Sequence, residues 1–184
     1  MSTYKSDFEE PFLEATSTYY DQLATHWISI YNAPEYLKEI DGLFNQEEQN
    51  ADYWLPNESK KAVIRILARE LVSKRAESVI EKESGALYMF QNNRLKELKL
   101  MYNVFKRDDS LLEFVIEKMG PYIEFRGEAI TSDNQIMNDP VAFTKKLIEL
   151  RTEIDLMLRE SFDANNVLFQ RCRDNSFANF MNKC

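Results

Sequence analysis

The amino-acid sequence predicts an all-α fold, and three observations lead to this prediction. The chain has 184 residues but only 4 glycines and 5 prolines, whereas average usage would give roughly 13 glycines. Apolar residues recur every three or four positions along most of the chain, as on one face of an α-helix. No segment shows the sustained apolar–polar alternation of a β-strand. We therefore expect about six helices, packed as antiparallel neighbours.

The first two predicted helices cover residues 11–31 and 33–55. Pro11 suits a first helical turn, where its missing N–H costs no hydrogen bond. The apolar face of the first helix consists of Phe12, Thr16, Tyr19, Leu23 and Ile30. The second helix carries a heptad-like stripe formed by Leu37, Ile40, Phe44, Glu47, Ala51 and Trp54. Because Glu47 is charged, we expect it near the edge of that stripe.

Turn residues separate the third helix from its neighbours. Pro56 ends the second helix, and Asn57 or Ser59 is expected to cap a third one that runs to about residue 83. Ser84-Gly85 then separates this helix from a short turn. The sequence therefore predicts one long helix in this region.

A fourth helix is predicted over residues 94–107 and a fifth over residues 110–130. One face of the fourth presents Leu95, Leu98, Tyr102 and Phe105. Asp108-Asp109 is expected to stop the fourth helix and to cap the fifth. Within the fifth helix, Gly120-Pro121 predicts a kink or a one-turn break.

The last two helices follow a polar segment, Thr131–Asn138, which we predict to be a loop. Asp139-Pro140 is a start signal, a capping residue followed by a first-turn proline. The helix predicted over 140–162 has a stripe of Phe143, Leu147, Leu150, Ile154 and Met157. The helix predicted over 165–182 presents Val167, Phe169, Phe177, Phe180 and Met181.

Composition excludes several classes of site. Phosphate-binding loops, Rossmann turns and nucleophile elbows need closely spaced glycines, because only glycine lets the backbone approach a ligand so closely. The four glycines, at positions 42, 85, 120 and 127, are far apart. No apolar run is long enough to span a membrane, and the polar N-terminus lacks the pattern of a secretory signal. Cys172 and Cys184 show no disulfide or zinc-ligand pattern, so we expect reduced thiols in an intracellular protein.

The charge of the chain is unevenly distributed. The formal net charge is −8, and residues 1–50 alone hold ten acidic residues against two lysines. The rest of the chain is therefore neutral. Since nucleic-acid binding requires a cationic face, this distribution argues against it.

Two kinds of residue could in principle perform acid–base chemistry. His26, the single histidine, could activate a nucleophile, but a partly buried structural histidine is the favoured interpretation. The chain has no Glu-x-x-His motif of the kind that di-iron bundles use. Glu9-Glu10 and Glu47-Glu48 are paired carboxylates, which we interpret as solvated helix faces. The sequence predicts no catalytic, cofactor-binding or metal-ligating residue.

A basic stripe is the most distinctive surface feature. Lys61, Arg65 and Arg69 recur at every fourth position, with Lys60, Lys74 and Arg75 nearby. This stripe could bind an acidic partner or a phosphate chain. It could also pair with the acidic first two helices, which is the alternative we favour. The aromatic residues fall mainly on the helical stripes and are interpreted as core.

An ordered series of motifs runs along the chain, beginning with Phe8–Thr16 followed by Tyr19-Tyr20. This first motif is similar, almost residue for residue, to one helix of the cullin family, the scaffolds of multi-subunit ubiquitin ligases. The segment 98–107, LKLMYNVFKR, is similar to a second. Further similarities lie at Glu35-Tyr36-Leu37, Glu47-Glu48, Trp54-Leu55, Gly127-x-Ala129-Ile130, Asp139-Pro140, and Ser161-Phe162 through Phe169, Phe177 and Phe180. Ser84-Gly85 and Met101–Phe105 lean toward the branch that uses BTB-domain adaptors.

The resemblance implies a cullin-repeat-like stack of antiparallel helices, part of an elongated arm. Residues 1–57 would be the C-terminal helices of one repeat, and residues 58–184 most of the next. The adaptor and RING protein would bind mostly outside this segment, and the lysine that receives a ubiquitin-like modifier would also lie outside it. The chain is thus expected to be a fragment of a longer cytoplasmic or nuclear protein.

The implied function is that of a rigid, non-catalytic stalk that holds a substrate adaptor at a fixed distance from the RING protein. Stiffness would come from packing residues, namely Phe12, Tyr19, Leu37, Phe44, Tyr102, Phe105, Leu147, Ile154 and Phe162. The open alternative is an independent interaction module with an acidic N-terminal face and a basic Lys61/Arg65/Arg69 face. We expect the isolated fragment to self-associate weakly, because a segment cut from a repeat stack exposes apolar ends.

Overall fold

The structure, a computed structural model, describes residues 9–163 and 166–183, with the backbone alone at 51, 52 and 54. Every regular element in these residues is helical, which confirms the all-α prediction. The elements are α1 (Glu10–Ile30), α2 (Ala33–Trp54), α3 (Asn57–Leu67), a π segment (Ala68–Val72), a 3-10 turn (Ser73–Arg75), α4 (Ala76–Ile80), α5 (Ala86–Gln91), α6 (Leu95–Phe105), a second 3-10 turn (Asp109–Leu111), α7 (Leu112–Thr131), α8 (Asn134–Met137), α9 (Pro140–Ser161) and α10 (Val167–Met181).

Two predicted capping residues have the expected hydrogen bonds. Asp139 Oδ1 accepts from the backbone N–H groups of Val141 and Ala142 at 3.0 and 3.1 Å, so it caps α9. Asp108 Oδ1 accepts from the backbone N–H of Ser110 at 3.1 Å. Each bond satisfies a donor that a helix start would otherwise leave unpaired.

The third predicted helix differs from the structure at both ends. Asn57 is already helical, and Pro56 at the N-cap supplies no side-chain hydrogen bond. Ser59 does not cap either, because its hydroxyl donates to Glu9 Oε1 at 2.6 Å. Between α3 and α4 the helix passes through the π segment and then the 3-10 turn, and α4 ends at Ile80 rather than at residue 83. Local propensity does not reveal such changes, because tertiary contacts drive them.

Two predicted interruptions are also corrected. The one-turn break expected at Gly120-Pro121 is wrong, because α7 runs through Pro121 without interruption. Gly120 has no Cβ to collide with the proline ring, which removes the usual penalty on the residue before proline. The loop expected over Thr131–Asn138 contains the one-turn helix α8, capped by the Asp133 carboxylate.

Contacts between residues divide the chain into two compact units. Unit 1 consists of residues 1–85 and 103–111, and unit 2 of residues 86–102 and 112–184. The boundary expected between residues 57 and 58 separates two cullin repeats, not these two contact-defined units. It stays a prediction.

Unit 1 has its core along α2. The stripe residues Leu37, Ile40 and Phe44 are fully buried, and Glu47 is half-buried, as its edge position predicted. The side chains of Ala51 and Trp54, the remaining members of the stripe, lie outside the described residues, as does Cys184. Burying a side chain such as Phe44 contributes about 1.5–3 kcal/mol to stability.

The packing role predicted for Tyr19 is wrong. Tyr19 is 59% exposed, whereas its neighbour Tyr20 is only 6% exposed and packs with Ala24 on the buried side of α1. Ile30, placed on the same predicted face, is exposed as well. The buried face of α1 is thus rotated by about one residue, or 100°. An aromatic-rich helix offers two such faces, and only the neighbouring helices select one of them.

Unit 2 has an aromatic core. The rings of Phe162 and Phe169 are stacked with centroids 4.2 Å apart, and Tyr102 meets Phe162 edge to face at 5.8 Å. Phe90 stacks on Tyr122 at 5.6 Å. Such aromatic pairs add about 0.5–1.5 kcal/mol beyond the area that they bury.

Most of the other predicted packing residues are buried to some degree. Leu37, Phe44, Phe105, Ile154 and Phe162 are buried, which confirms them as core. Phe12, Tyr102 and Leu147 are half-buried and line the edges of the packed surfaces. Packing, rather than any polar constellation, is therefore what most of these side chains provide.

Candidate functional site

The basic stripe lies on α3 and the π segment, and only part of it is paired within the chain. Arg69 Nε donates to Glu70 Oε1 at 2.8 Å, and Arg69 Nη2 donates to Ser17 Oγ at 3.0 Å. Lys61 Nζ pairs with Glu58 on its own helix at 3.1 Å. Arg65 is exposed and has no ion-pair partner within residues 9–163 and 166–183. Pairing with the acidic first two helices, the favoured alternative, is thus confirmed for neither Arg65 nor Arg69. The carboxylate partner of Arg69 is Glu70 in the π segment itself, and its contact on the first helix is the neutral Ser17.

The two flanking cations do reach the acidic first helix. Arg75 Nη2 donates to Asp21 Oδ1 at 2.8 Å and to Thr25 Oγ1 at 2.9 Å. Lys74 Nζ lies 3.7 Å from the same Asp21 oxygen. These contacts join α1 to the 3-10 turn that follows the π segment, as the complementary charges predicted.

Glu70 is the centre of a buried ionic cluster. Its side chain is fully buried in the π segment, where it accepts from Ser17 Oγ at 3.0 Å and contacts Arg69 and Lys74. Burial alone would raise the pKa of this carboxyl, but hydrogen bonds from Lys74, Arg69 and Ser17 outweigh it and hold the pKa below its ordinary value. A buried carboxylate with this many donors remains ionised and fastens α1 to the π segment.

Tyr36 completes this arrangement from α2. Its buried hydroxyl donates to the backbone carbonyl of Leu71 at 2.8 Å. The π segment departs from the regular hydrogen-bonding ladder, so this carbonyl benefits from a side-chain donor. Burial raises the pKa of Tyr36, which keeps the phenol protonated and able to donate. Sequence reasoning missed Glu70 and Tyr36, because a single Glu or Tyr on a helix carries no local signal of burial.

The carboxylate pairs do not form acid–base sites. Glu48 Oε1 accepts from Arg107 Nη1 at 2.9 Å, while the Arg107 guanidinium lies 4.0 Å from the centroid of the Phe44 ring. Glu47 instead lies beside Tyr20, whose pKa is raised by burial and by this carboxylate. Adjacent residues on a helix point about 100° apart, so the two carboxylates serve different partners.

The other candidates for acid–base chemistry are Glu9, Glu10 and His26. Glu9 accepts from Ser59, so its expected solvation is wrong, whereas Glu10 is exposed as expected. His26 is exposed rather than partly buried, because the buried side of α1 is the one that carries Ala24. Among the described residues, no group of three or more His, Cys, Asp or Glu could hold a metal ion.

An apolar groove of about 500 Å³ lies in unit 1 beside α1. Its walls come from α1, α2, α3 and the connection before α3: Phe12, Ala15, Thr16, Tyr19, Tyr20, Glu47, Asn50, Leu55 and Val63. Among these lining residues the titratable groups are two tyrosines and one glutamate, without a nucleophile–base pair. The groove can accept apolar side chains but offers no reaction chemistry of its own.

In unit 2 the polar contacts fasten helices to one another. Arg126 forms a bidentate pair with Glu153, at 3.0 and 2.8 Å, and also donates to the Tyr122 hydroxyl at 2.8 Å. This fork joins α7 to α9. The partners are 27 residues apart in the sequence, so no spacing rule could have found them.

Comparisons with known proteins show what this arrangement of helices is similar to. A family model described as the cullin alpha solenoid domain matches residues 1–184. Cullin-3A of Arabidopsis thaliana is 28% identical over 182 residues, Cullin-3 of Dictyostelium discoideum 24% over 182, and Cullin-3 of Caenorhabditis elegans 23% over 190. Each alignment covers 98% of this chain. These names are consistent with the BTB-adaptor branch that the sequence motifs favoured.

The chain spans about a quarter of the length of the curated relatives it matches, 25% for the first and 24% for the other two. None of the helices in the described part of the chain is long and apolar enough to cross a membrane. The all-helical structure agrees with the alpha solenoid description of the matching family.

Proposed function

Because this chain belongs to the cullin family, we propose that it is a non-catalytic scaffold segment of a cullin–RING ubiquitin ligase. The segment acts as a rigid stalk that holds a substrate adaptor at a fixed distance from the RING protein and its ubiquitin-charged enzyme. A fixed geometry raises the effective concentration of the reacting groups without any chemistry in the stalk itself. The observation that carries the proposal is the match of the alpha solenoid model to the whole chain.

The internal contacts support a stiff segment. Within unit 1, the Glu70 cluster and Tyr36 tie α1, α2 and the π segment together through side-chain hydrogen bonds. Within unit 2, the Arg126–Glu153 fork and the stacked aromatic rings do the same. Close-packed interiors resist deformation. Units packed in this way therefore keep the positions of their helices fixed.

Partners are proposed for the full-length protein rather than for this segment. An adaptor, of the BTB-domain class, and a RING protein bind mostly through regions outside residues 1–184, in the cytoplasm or the nucleus. Nucleic acid and membranes are not proposed as partners, because the formal net charge of −8 repels polyanions. We also retain residues 58–184 as most of one cullin repeat, with residues 1–57 from the preceding one.

The scaffold role can be tested with the full-length protein and its reconstituted partners. In one variant, residues 10–181 are replaced by a Gly-Ser linker of equal length, which spreads the end-to-end distance over a wide range. We expect adaptor and RING protein to copurify with both forms, while substrate ubiquitination slows strongly in the linker variant. Reversing the charge of exposed Lys96 and Lys99 is the matched control and should leave the rate unchanged.

Two outcomes would contradict the proposal. If the wild-type full-length protein copurified with neither adaptor nor RING protein, the scaffold role would be wrong. If the linker variant ubiquitinated its substrate at the wild-type rate, the role of stiffness would be wrong while the scaffold role stood.

We infer that the isolated segment self-associates weakly, as the sequence predicted. Val141, Ile148 and Val167 are exposed apolar residues in unit 2, and Val141 is 78% exposed. Repeat segments commonly bury such surfaces on a neighbour. Sedimentation should show an apparent mass that rises with protein concentration, and a mass independent of concentration would contradict the inference.

A further inference from the structure

Two cations of α3 form an exposed basic ridge, which we define as Lys61 and Arg65. Residues four positions apart on a helix are neighbours on one face, with Cβ atoms about 5–6 Å apart. The Lys61 side chain is 61% exposed, and Arg65 is exposed without an ion-pair partner in the described part of the chain. The ridge therefore presents two positive charges side by side to solvent.

Among the side chains that the structure describes, the acidic groups near the ridge leave its charge largely uncompensated. Glu48 of α2, which lines the same groove as the ridge, is already paired with Arg107 at 2.9 Å. Glu58 pairs with Lys61, but both side chains are highly exposed, and ion pairs of this kind contribute only about 0–1 kcal/mol. Glu70 is committed to its own buried cluster. A partner that brings carboxylates would thus displace no strong internal pair.

A groove of about 410 Å³ lies beside the ridge and adds an apolar surface to its positive charge. Its walls are Glu48, Lys60, Lys61, Ile64 and Arg65. Ile64 lies between the two ridge cations in sequence and is half-buried, so it offers an aliphatic surface within reach of both charges. A ligand suited to this groove combines negative charge with a small apolar group.

We propose that the basic ridge binds an acidic peptide segment of a partner protein. Two carboxylates of the segment meet Lys61 and Arg65, the latter through its planar guanidinium fork, and an intervening apolar side chain covers Ile64. This contact is independent of the scaffold role, since it needs neither the adaptor nor the RING protein. The complementary charges of the ridge and the acidic segment orient the segment on the surface and speed its association.

The chemistry of the ridge favours a peptide over other polyanions. Two neutralised phosphates contribute little nucleic-acid affinity, because affinity grows with the number of phosphates contacted. An anionic membrane likewise needs a larger cluster of cations than this ridge supplies. Glu48 and Glu58, which flank the ridge, would also repel a dense polyanion, whereas a peptide can place neutral residues opposite them.

The test measures binding of a fluorescein-labelled peptide of alternating Glu and Leu residues by fluorescence anisotropy. The wild-type chain is compared with a Lys61→Glu/Arg65→Glu variant and with a Lys96→Glu/Lys99→Glu control of identical charge change on α6. We expect affinity to fall about tenfold or more in the ridge variant and to stay within about twofold in the control. Arg65→Lys should lose part of the affinity, because it keeps the charge but not the fork.

Other outcomes would overturn the proposal. Absence of saturable peptide binding at low salt would do so, as would equal losses in the ridge variant and the control. Tighter binding of single-stranded RNA, or of vesicles containing phosphatidylserine, than of the peptide would assign the ridge to another ligand class. Circular dichroism of each variant, with unchanged helical content, attributes a loss of binding to the ridge rather than to unfolding.

Discussion

Replacing Gly127 by alanine should destabilise the protein, because the Phe180 ring of α10 occupies the space that a Cβ on this residue of α7 would need. A Cβ at this position would lie 2.3 Å from Cδ1, 2.4 Å from Cε1 and 2.5 Å from Cγ of Phe180. Real carbon atoms do not approach so closely. Phe180 is fully buried, so its ring cannot move aside without displacing the core of unit 2.

The magnitude follows from two opposing effects. Glycine costs roughly 0.5–1 kcal/mol relative to alanine in a helix interior, so the substitution gains that amount in backbone entropy. Forcing a methyl group into a packed core costs about 1–3 kcal/mol, and the distances at Gly127 put it at the upper end. We therefore expect a net loss of about 2–2.5 kcal/mol for Gly127→Ala.

Gly42 supplies the matched control. It lies in the interior of α2, and a Cβ there would meet no other atom within 4 Å. Gly42→Ala should thus gain the full helix term of roughly 0.5–1 kcal/mol. For a chain of this size each kcal/mol shifts Tm by about 2–4 °C. The two variants should therefore differ by about 5–14 °C in Tm.

Thermal unfolding followed by circular dichroism measures this difference directly, with helical content at low temperature confirming that both variants fold. The packing explanation would be refuted if the Gly127→Ala protein melted at or above the temperature of the Gly42→Ala protein. That result would mean that the contact with the Phe180 ring relaxes at almost no cost.

Three further predictions concern polar groups. Tyr36→Phe should lower the free energy of unfolding by about 1–2 kcal/mol, because the buried Leu71 carbonyl loses its donor. Urea unfolding measures this loss, and an unchanged midpoint would contradict the prediction. Because the folded-state pKa of Glu70 is below the ordinary 4.5, its stabilisation is complete above that pH and is lost as the pH falls below it. The acid-unfolding curve of Glu70→Gln should therefore be flatter below pH 4.5 than that of the wild type, and identical slopes would count against the Lys74 and Arg69 contacts. Asp139→Ala should remove the α9 cap and lower stability by about 1 kcal/mol, whereas Asp139→Asn should retain most of it.

Local signals predicted the helices well where they act within one turn. The Asp139-Pro140 start lies where it was expected, since a cap depends only on the next three residues. Signals that depend on neighbours failed. Gly120-Pro121 was expected to kink α7 or to break it for one turn; the break is absent, because the lack of a Cβ on Gly120 makes a continuous helix possible.

The candidate site shows the same difference between local signals and tertiary contacts. The basic stripe was visible in the sequence as a four-residue repeat, but the sequence left open whether it pairs internally. The structure shows that Arg69 turns to Glu70 and Ser17, while Arg65 remains exposed. The direction in which a long side chain points depends on which partners lie within its reach. The sequence alone does not give the distances to those partners.

The sequence by itself determined that the chain is all-α and cullin-like, because apolar periodicity, few helix breakers and an ordered motif series are all properties of the linear order of residues. Only the tertiary structure decided which face of α1 is buried, so that Tyr20 rather than Tyr19 packs inside. It also decided that Glu70 is a buried anchor. The physical reason is that burial and ion pairing depend on distances between residues far apart in the chain, and folding alone sets those distances.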